Sequence, residues 1–118
     1  MPQIATFHIG KEVFGIDILL MKEIGKKSEM TKVPQSPEFI LGLMNLRGQI
    51  VTIVDPGVFL DQTLKVPVQD QRLIILKNEN ELEQLRKKNL IKDNHMSKDT
   101  LAIVVDHMSD VVDVELDQ

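Results

Sequence analysis

Apolar and polar positions alternate in the first eighteen residues, as they do in half-buried β-strands. Residues 4–9 and residues 13–18 each place apolar side chains on one face, and the turn between them contains Gly10. The two segments are therefore expected to form an antiparallel hairpin. Gly15, inside the second strand, indicates a bulge or a close backbone contact. The predicted inward side chains are Ala5, Phe7, Ile9, Phe14, Ile16 and Ile18.

The longest apolar part of the chain, residues 34–55, predicts a helix, a turn and a strand in succession. A Ser-Pro pair predicts the start of a short helix over residues 37–41, which Gly42 would end. Residues 45–48 have the composition of a tight turn. The β-branched residues of the segment Gln49–Val54 lie on both faces, which is typical of a central strand.

Further short strands are predicted in the remaining apolar segments. Short buried strands are expected at Arg72–Leu76, which is apolar after Arg72, and at 101–105, which is continuously apolar. Residues 106–109 are expected to turn the chain. Residues 112–117 alternate, with acidic side chains outward and Val112, Val114 and Leu116 inward. Residues 19–24 fit either more strand or a helical turn. Repeated short strands with turns between them predict an all-β barrel or sandwich with one or two short helices.

Residues 77–99 break this pattern because they are rich in charge and poor in apolar side chains. Between residues 79 and 92 the acids come first and the bases follow, which suits a helix dipole. Leu82 and Leu85 give only a thin apolar stripe. Both a weakly docked helix and a mobile loop fit this segment. The 118 residues are expected to form a single domain, residues 1–118, with a charged insertion at 77–99.

Composition excludes several classes of function. The net charge is −4 and the pI is about 5.3, so the chain has no overall basic character for binding nucleic acid or an anionic membrane. There is no Cys, and no apolar run approaches the ~20 residues that span a bilayer. The N-terminus lacks the pattern of a secretory signal. A cytoplasmic protein that does not insert into the membrane is expected.

The chain contains no recognisable catalytic or metal-binding motif. His8, His95 and His107 fall on a strand, a loop and a turn, without helical spacing or a Cys nearby, so solvated histidines are expected. The acidic C-terminal residues lack the central Gly of a calcium loop. A small hydrolase or metal enzyme remains a competing interpretation, but it would need a clustered His or carboxylate constellation, and the sequence offers none.

Arg47 is the charged residue with the clearest functional interest. It lies at the predicted turn beside a large apolar surface, where a guanidinium is well placed to contact a partner. The alternative is a structural ion pair with Glu38 or Asp55.

Three strings resemble a known family. The CheW-type chemotaxis coupling domain is similar in order and character to FHIGKEVFGIDILLMKEI, TKVPQSPEFILGLMNLRGQIVTIVD and LAIVVDHMSDVVDV. The resemblance implies two small β-barrels packed side by side on a shared apolar core. It also implies a non-enzymatic adaptor, without a cofactor, that joins the regulatory domain of a chemotaxis histidine kinase to the cytoplasmic tip of chemoreceptors. By position in the motifs, the residues at or near the functional surface would be Met21, Glu23, Gly42, Arg47, Gly48 and Val111.

The chain departs from the family pattern at three places. It has the insertion at residues 77–99, a Pro-Gly pair after Asp55, and no sequence here for the later strands that help close a barrel. The second barrel would then be incomplete, with an exposed C-terminal edge that invites homodimer formation. In the alternative, the insertion covers the gap through Leu82 and Leu85 and keeps the protein monomeric. Because of these departures, a second function stays possible: the chain is a divergent CheW-like regulatory scaffold that has lost receptor–kinase coupling.

Overall fold

The computed structural model describes residues 3–27, 29–78, 80–83 and 100–114, which form two β-sheets. Every predicted strand segment within the described residues contributes to one of them. The strands are β1 (Gln3–Ile9), β2 (Glu12–Asp17), β3 (Met21–Gly25), β4 (Ile40–Leu46), β5 (Gln49–Val54), β6 (Arg72–Leu76), β7 (Thr100–Val105) and β8 (His107–Asp113).

The smaller sheet has three antiparallel strands in the order β2-β1-β8. The predicted hairpin of β1 and β2 is confirmed, and the inward residues of β1 are buried. Gly15 makes the expected close contact, because a Cβ at this position would lie 2.5 Å from Cγ2 of Ile4. Only a glycine lets β2 approach β1 at this point without displacing that side chain.

The larger sheet has five strands in the order β3-β6-β7-β5-β4. Adjacent strands in this sheet are antiparallel, except for β5 and β7, which are parallel to each other. β5 lies between two strands, so the prediction of a central strand is confirmed. The chain after β3 returns to β4, where Thr31 and Leu43 exchange two backbone hydrogen bonds of 2.8 Å. These bonds pair the connection that follows β3, one edge of the sheet, with β4, the opposite edge, so the sheet is curled.

The two sheets share a core because β6 is buried on both faces. Leu73 and Ile75 pack with β5 inside the curled sheet, whereas Ile74 and Leu76 pack with Phe7 of the smaller sheet. Two-faced burial explains why this strand reads as a continuous apolar run rather than an alternating one.

The helix predicted over residues 37–41 is wrong. This part of the chain makes tight turns, and β4 already begins at Ile40. The amide of Ile40 donates to the carbonyl of Pro37 at 3.0 Å, but the amide of Asp55 then donates to the carbonyl of Phe39 at 2.7 Å. Pairing with β5 therefore takes over before a second helical turn can form. The described helix in this region comes later, at α1 (Gly57–Leu60).

The predicted turn over residues 106–109 is too long: the chain bends at Asp106, and β8 begins directly afterwards at His107. A bulge in the pairing with β1 shifts the register, which sets Val112 opposite Ile4. Val112 is 42% exposed rather than inward. Local alternation could not reveal this, because the bulge depends on the partner strand. Val114 is half-buried, and Leu116 lies outside the described residues.

Two segments that the sequence left open now have a structure. Residues 18–25 contain both alternatives, a 3₁₀ turn at Ile18–Leu20 followed by β3. The described start of the insertion, residues 80–83, is helical. Leu82, within this helical segment, is fully buried. Leu85 lies outside the described residues. Over the part of the chain that the structure describes, no helix is long and apolar enough to span a membrane.

Candidate functional site

The hairpin between β4 and β5 presents Arg47 at its tip. Arg47 and Gly48 have positive φ angles of 51° and 84°, as expected for a two-residue type I′ loop. Asn45 stabilises the loop, because its Oδ1 accepts a 2.8 Å hydrogen bond from the amide of Gly48. The prediction of a turn at residues 45–48 is confirmed. A Cβ on Gly48 would meet no atom within 4 Å, so the glycine is required by its backbone angle rather than by space.

The guanidinium of Arg47 forms an ion pair with Glu23 of β3. The alternative that the sequence left open, an ion pair of Arg47 with Glu38 or Asp55, is wrong, because the arginine pairs with Glu23 instead. β3 and β4 are opposite edges of the larger sheet, so the pair forms only because the sheet is curled. The Arg47 side chain is 68% exposed and that of Glu23 is 29% exposed. A pair this accessible to water is worth about 1 kcal/mol or less, so it orients the arginine without removing it from the surface.

Asp55 instead belongs to the opposite end of β5. Its Oδ1 accepts a 2.9 Å hydrogen bond from the amide of Gly57, which leads the chain into α1. It also lies near Lys27, whose pKa is lowered by burial while the Asp55 carboxylate partly opposes this effect. The Lys27 ammonium donates to Oε1 of Gln71 at 3.0 Å.

A polar network next to the Arg47–Glu23 pair joins β3, β5, β7 and the start of the insertion. The ammonium of Lys22 lies 3.1 Å from Oε2 of Glu81 and 3.4 Å from Oε1 of Gln49. Gln49 in turn donates to the hydroxyl of Thr100 at 2.5 Å. Sequence reasoning missed this network. One signal for Glu81 was present, because an Asn three residues before a Glu is typical of a reciprocal helix cap.

That cap is formed in the structure. The amide of Glu81 donates to Oδ1 of Asn78 at 3.1 Å, and the amide of Asn78 donates to Oε1 of Glu81 at 2.9 Å. Lys77 fixes the segment further, since its ammonium donates to the carbonyl of Leu19 at 2.8 Å. The insertion therefore begins against the edge of the sheet that carries Met21 and Glu23.

The other predicted site residues do not form one patch with Arg47. Met21 is half-buried and packs on the core shared by the two sheets. Gly42 lies farther along β4, where a Cβ would approach the carbonyl oxygen of Thr31 to 2.8 Å. Val111 is on β8 of the smaller sheet, opposite Ala5, and is 57% exposed. The structure thus places Glu23, Arg47 and Gly48 together, with Met21 on the same strand as Glu23.

An open depression beside the hairpin adds apolar surface to this region. Ile50 is 56% exposed although it belongs to an interior strand, and it lies next to the hairpin tip in the sequence. Exposed aliphatic surface near an arginine is a combination that protein interfaces favour. The depression is lined by Glu29, Thr31, Leu43, Met44, Asn45 and Ile50.

Asp106 is a buried carboxylate that sequence reasoning did not single out. Its side chain accepts hydrogen bonds from the amides of Gly10 and Lys65, both at 2.7 Å, and of Val66 at 3.0 Å. It thereby ties the β1–β2 turn and the loop before β6 to the junction of β7 and β8. Its role is structural, because all three donors are backbone groups of this chain.

The structure brings together two of the three histidines. His8 and His107 lie directly opposite each other on β1 and β8, with ring centroids 4.3 Å apart. His95 lies outside the described residues. Within the described ranges, no three His, Asp or Glu side chains are grouped closely enough to hold a metal ion.

The described residues thus define an all-β domain of two small sheets on a shared core, with an exposed arginine at a hairpin tip. Comparison with known proteins identifies the particular class. The chain belongs to the CheW-like domain family, whose family model matches residues 3–118. The resemblance found in the sequence is thereby confirmed.

Individual relatives agree with this assignment. The chain is 32% identical over 112 residues to "Chemotaxis protein CheW" of Klebsiella aerogenes, a match that covers 95% of this chain and 57% of that protein. It is 40% identical over 53 residues to "Chemotaxis protein CheW" of Treponema pallidum, a match that covers 45% of this chain and 31% of that protein. In both cases the matched region is less than two thirds of the relative.

A solved structure confirms the fold. The crystal structure of the scaffolding protein TtCheW from Thermoanaerobacter tengcongensis matches with a TM-score of 0.74 and 27% sequence identity. The match covers 98% of this chain and 67% of that one. The predicted all-β, CheW-like fold is therefore correct.

Proposed function

We propose that this chain is a non-enzymatic adaptor in bacterial chemotaxis signal transduction. It links the regulatory domain of a chemotaxis histidine kinase to the cytoplasmic tip of methyl-accepting chemoreceptors, works in the cytoplasm and needs no cofactor. The observation that carries this proposal is membership of the CheW-like domain family across residues 3–118. The names of the relatives, chemotaxis proteins and a scaffolding protein, support the same reading.

We propose that partners bind at or near the hairpin tip. The exposure of Arg47, its orientation by Glu23, and the apolar side chain of Ile50 nearby support a contact surface here. Gly48 would act through the loop shape that carries Arg47. Met21 would set the position of the strand that carries Glu23.

Gly42 and Val111 belong to the proposed surface in different ways. Gly42 would act indirectly, because its close approach to Thr31 shapes the seam of the curled sheet. Val111 is exposed on the smaller sheet and would form a second contact area, away from β4.

A binding experiment with each partner separately tests the proposal. The chain is immobilised and offered the kinase regulatory domain or a receptor-tip fragment from the same organism. Retention of both partners is expected. Retention of only one would instead favour a regulatory scaffold that has lost coupling. Retention of neither, by a chain whose circular dichroism spectrum shows folded β structure, would contradict both functions.

We further propose that residues 1–118 act as a single domain in which residues 77–99 are an insertion. The buried side chain of Leu82 and the hydrogen bond from Lys77 to Leu19 support an insertion that is docked at its start. Its position beside Met21 and Glu23 would let it influence the same contact surface.

A homodimer through the C-terminal edge is also proposed. Within the described residues, β8 pairs with β1 on one side only, and Val111 and Val112 are exposed along it. An accessible strand edge with exposed β-branched side chains favours pairing with a second chain.

A further inference from the structure

His8 and His107 are far apart in the sequence, yet the register of β1 and β8 sets them directly opposite each other. Their rings are stacked, with centroids 4.3 Å apart and an angle of 24° between the ring planes. His107 is exposed and His8 is half-buried, so solvent reaches the pair. Two imidazoles held side by side at a surface are the arrangement from which divalent transition metal ions are bound.

The backbone beneath the pair is firmly fixed. The amide of Asp106 donates to the carbonyl of His8 at 2.8 Å, and the Asp106 carboxylate is held by three backbone amides. On the other side of the pair, the Thr6 hydroxyl donates to the carbonyl of Asp110 at 2.7 Å and accepts from its amide at 3.0 Å. Phe7 and Ile9, the neighbours of His8, are buried. The Cα positions of both histidines are thus set before any ligand arrives.

Among the described residues, none occupies the imidazole nitrogens of the pair. Neither ring makes a side-chain hydrogen bond or an ion pair with any residue in the described part of the chain. The nearest carboxylate along the chain, that of Asp106, is buried and fully engaged with backbone amides. Within the described ranges, a metal ion would therefore replace no side-chain interaction of these rings other than their stacking on each other.

We propose that His8 and His107 form a bidentate surface site for a divalent transition metal ion such as Ni²⁺, Cu²⁺ or Zn²⁺, with water completing the coordination. Metal–nitrogen bonds of ~2.0–2.1 Å place two coordinating nitrogens about 3 Å apart. Rings whose centroids are 4.3 Å apart reach this spacing by tilting their coordinating edges towards each other, without movement of the strands. Affinity follows the usual order, with Cu²⁺ ahead of Ni²⁺ and Zn²⁺.

Binding at this site would link the edge strand β8 to β1. The two histidines adjoin only when these strands are paired, so a metal ion binds the folded chain in preference to the unfolded one. A ligand of this kind raises the unfolding temperature. The inference does not depend on the adaptor function, because it concerns the smaller sheet and needs no protein partner.

Isothermal titration of the tag-free protein with NiCl₂ tests the proposal, with His8→Gln and His107→Gln as the variants and His95→Gln as the matched control. We expect one Ni²⁺ per chain, and about a tenfold or greater loss of affinity in either site variant, because the second imidazole binds intramolecularly at a high effective concentration. His95→Gln should bind as the unmodified protein does. Ni²⁺ should raise the unfolding temperature of the unmodified protein and of the His95→Gln variant. It should not raise that of the His8→Gln or His107→Gln variant.

Zn²⁺ titration followed by nuclear magnetic resonance keeps the test valid if a variant does not fold. The imidazole signals of His8 and His107 should shift together, while that of His95 stays in place. Ni²⁺ binding that survives in the double variant His8→Gln/His107→Gln would overturn the proposal, as would loss of binding in His95→Gln. Absence of any binding by the unmodified protein at millimolar Ni²⁺ would also refute it.

Discussion

Arg47 adopts a backbone conformation that is unfavourable for a long side chain. Its φ of 51° lies in the left-handed region, where residues other than Gly, Asn and Asp lose about 1–2 kcal/mol. Asn or Gly would suit this position of a type I′ loop better. The guanidinium recovers little of that cost through an exposed ion pair with Glu23. Local stability therefore does not account for an arginine here, which supports a role in binding.

Arg47→Ala is expected to weaken binding of a chemotaxis partner and to change the free energy of unfolding by less than ~0.5 kcal/mol, as is usual for surface substitutions. Titration of the partner and urea denaturation measure the two effects. Lys11→Ala, which removes another exposed cation from the turn between β1 and β2, is the control and should bind normally. A loss of several kcal/mol with unchanged binding would show that Arg47 is structural.

Asp106→Ala is expected to destabilise the fold by about 2–4 kcal/mol, because three backbone amides lose a charged acceptor in a buried site. The control is Asp110→Ala, which removes an exposed carboxylate from the neighbouring strand. It should stay within ~0.5 kcal/mol of the unmodified protein in urea denaturation. Equal effects of the two substitutions would show that the Asp106 hydrogen bonds contribute little.

Contacts between residues distant in the sequence were the part of the site that the sequence could not predict. Arg47 was identified from its turn and its neighbours, which are local features. Its partner Glu23 depends on the curl of the larger sheet. The pairing of His8 with His107 depends on the register of β1 and β8, which includes a bulge. Neither contact can be predicted from the residue pattern of a single strand.

At the scale of the element, β5 is predicted to carry much of the stability of the larger sheet. Ile53→Ala should cost ~2–5 kcal/mol, because its fully buried side chain leaves a cavity among well-packed neighbours. The control is Ile50→Ala, which removes the same atoms from the same strand at a side chain that is 56% exposed. Its loss of unfolding free energy should be smaller by at least ~1 kcal/mol, because less apolar surface is buried there. Thermal or urea unfolding compares the two. Equal costs would mean that β5 is not a central strand.

Strands were easier to predict than helices in this chain. Alternation and continuous apolar runs identified β1, β2, β5, β6 and β7, because each pattern reflects burial on one face or on both. A helix was wrongly predicted over residues 37–41 because the Ser-Pro pair at its beginning, which suits the start of a helix, marks a turn here. Its apolar residues are used instead by β4, whose pairing with β5 is a tertiary interaction. Such strand pairing outweighs the local preference of these residues for a helical turn.

At the scale of the whole molecule, the proposed dimer edge is β8. Light scattering over a concentration series should show association, and Val112→Lys should abolish it, because a charge on an edge strand opposes strand pairing. Val13→Lys, at an exposed position on β2, the other edge of the smaller sheet, is the control. A monomer at high concentration, with residues 77–99 protected from hydrogen exchange, would instead support the insertion as a cover.

Co-sedimentation of a three-component mixture tests most directly whether this chain couples a chemotaxis kinase to receptors. Receptor-tip fragments assembled on a template are mixed with the chemotaxis kinase from the same organism, with and without this chain. We expect the kinase to sediment with the receptors only when the chain is present, and to a smaller extent when the chain carries Arg47→Ala. A kinase that stays in the supernatant with the folded, unmodified chain present would contradict the proposed coupling.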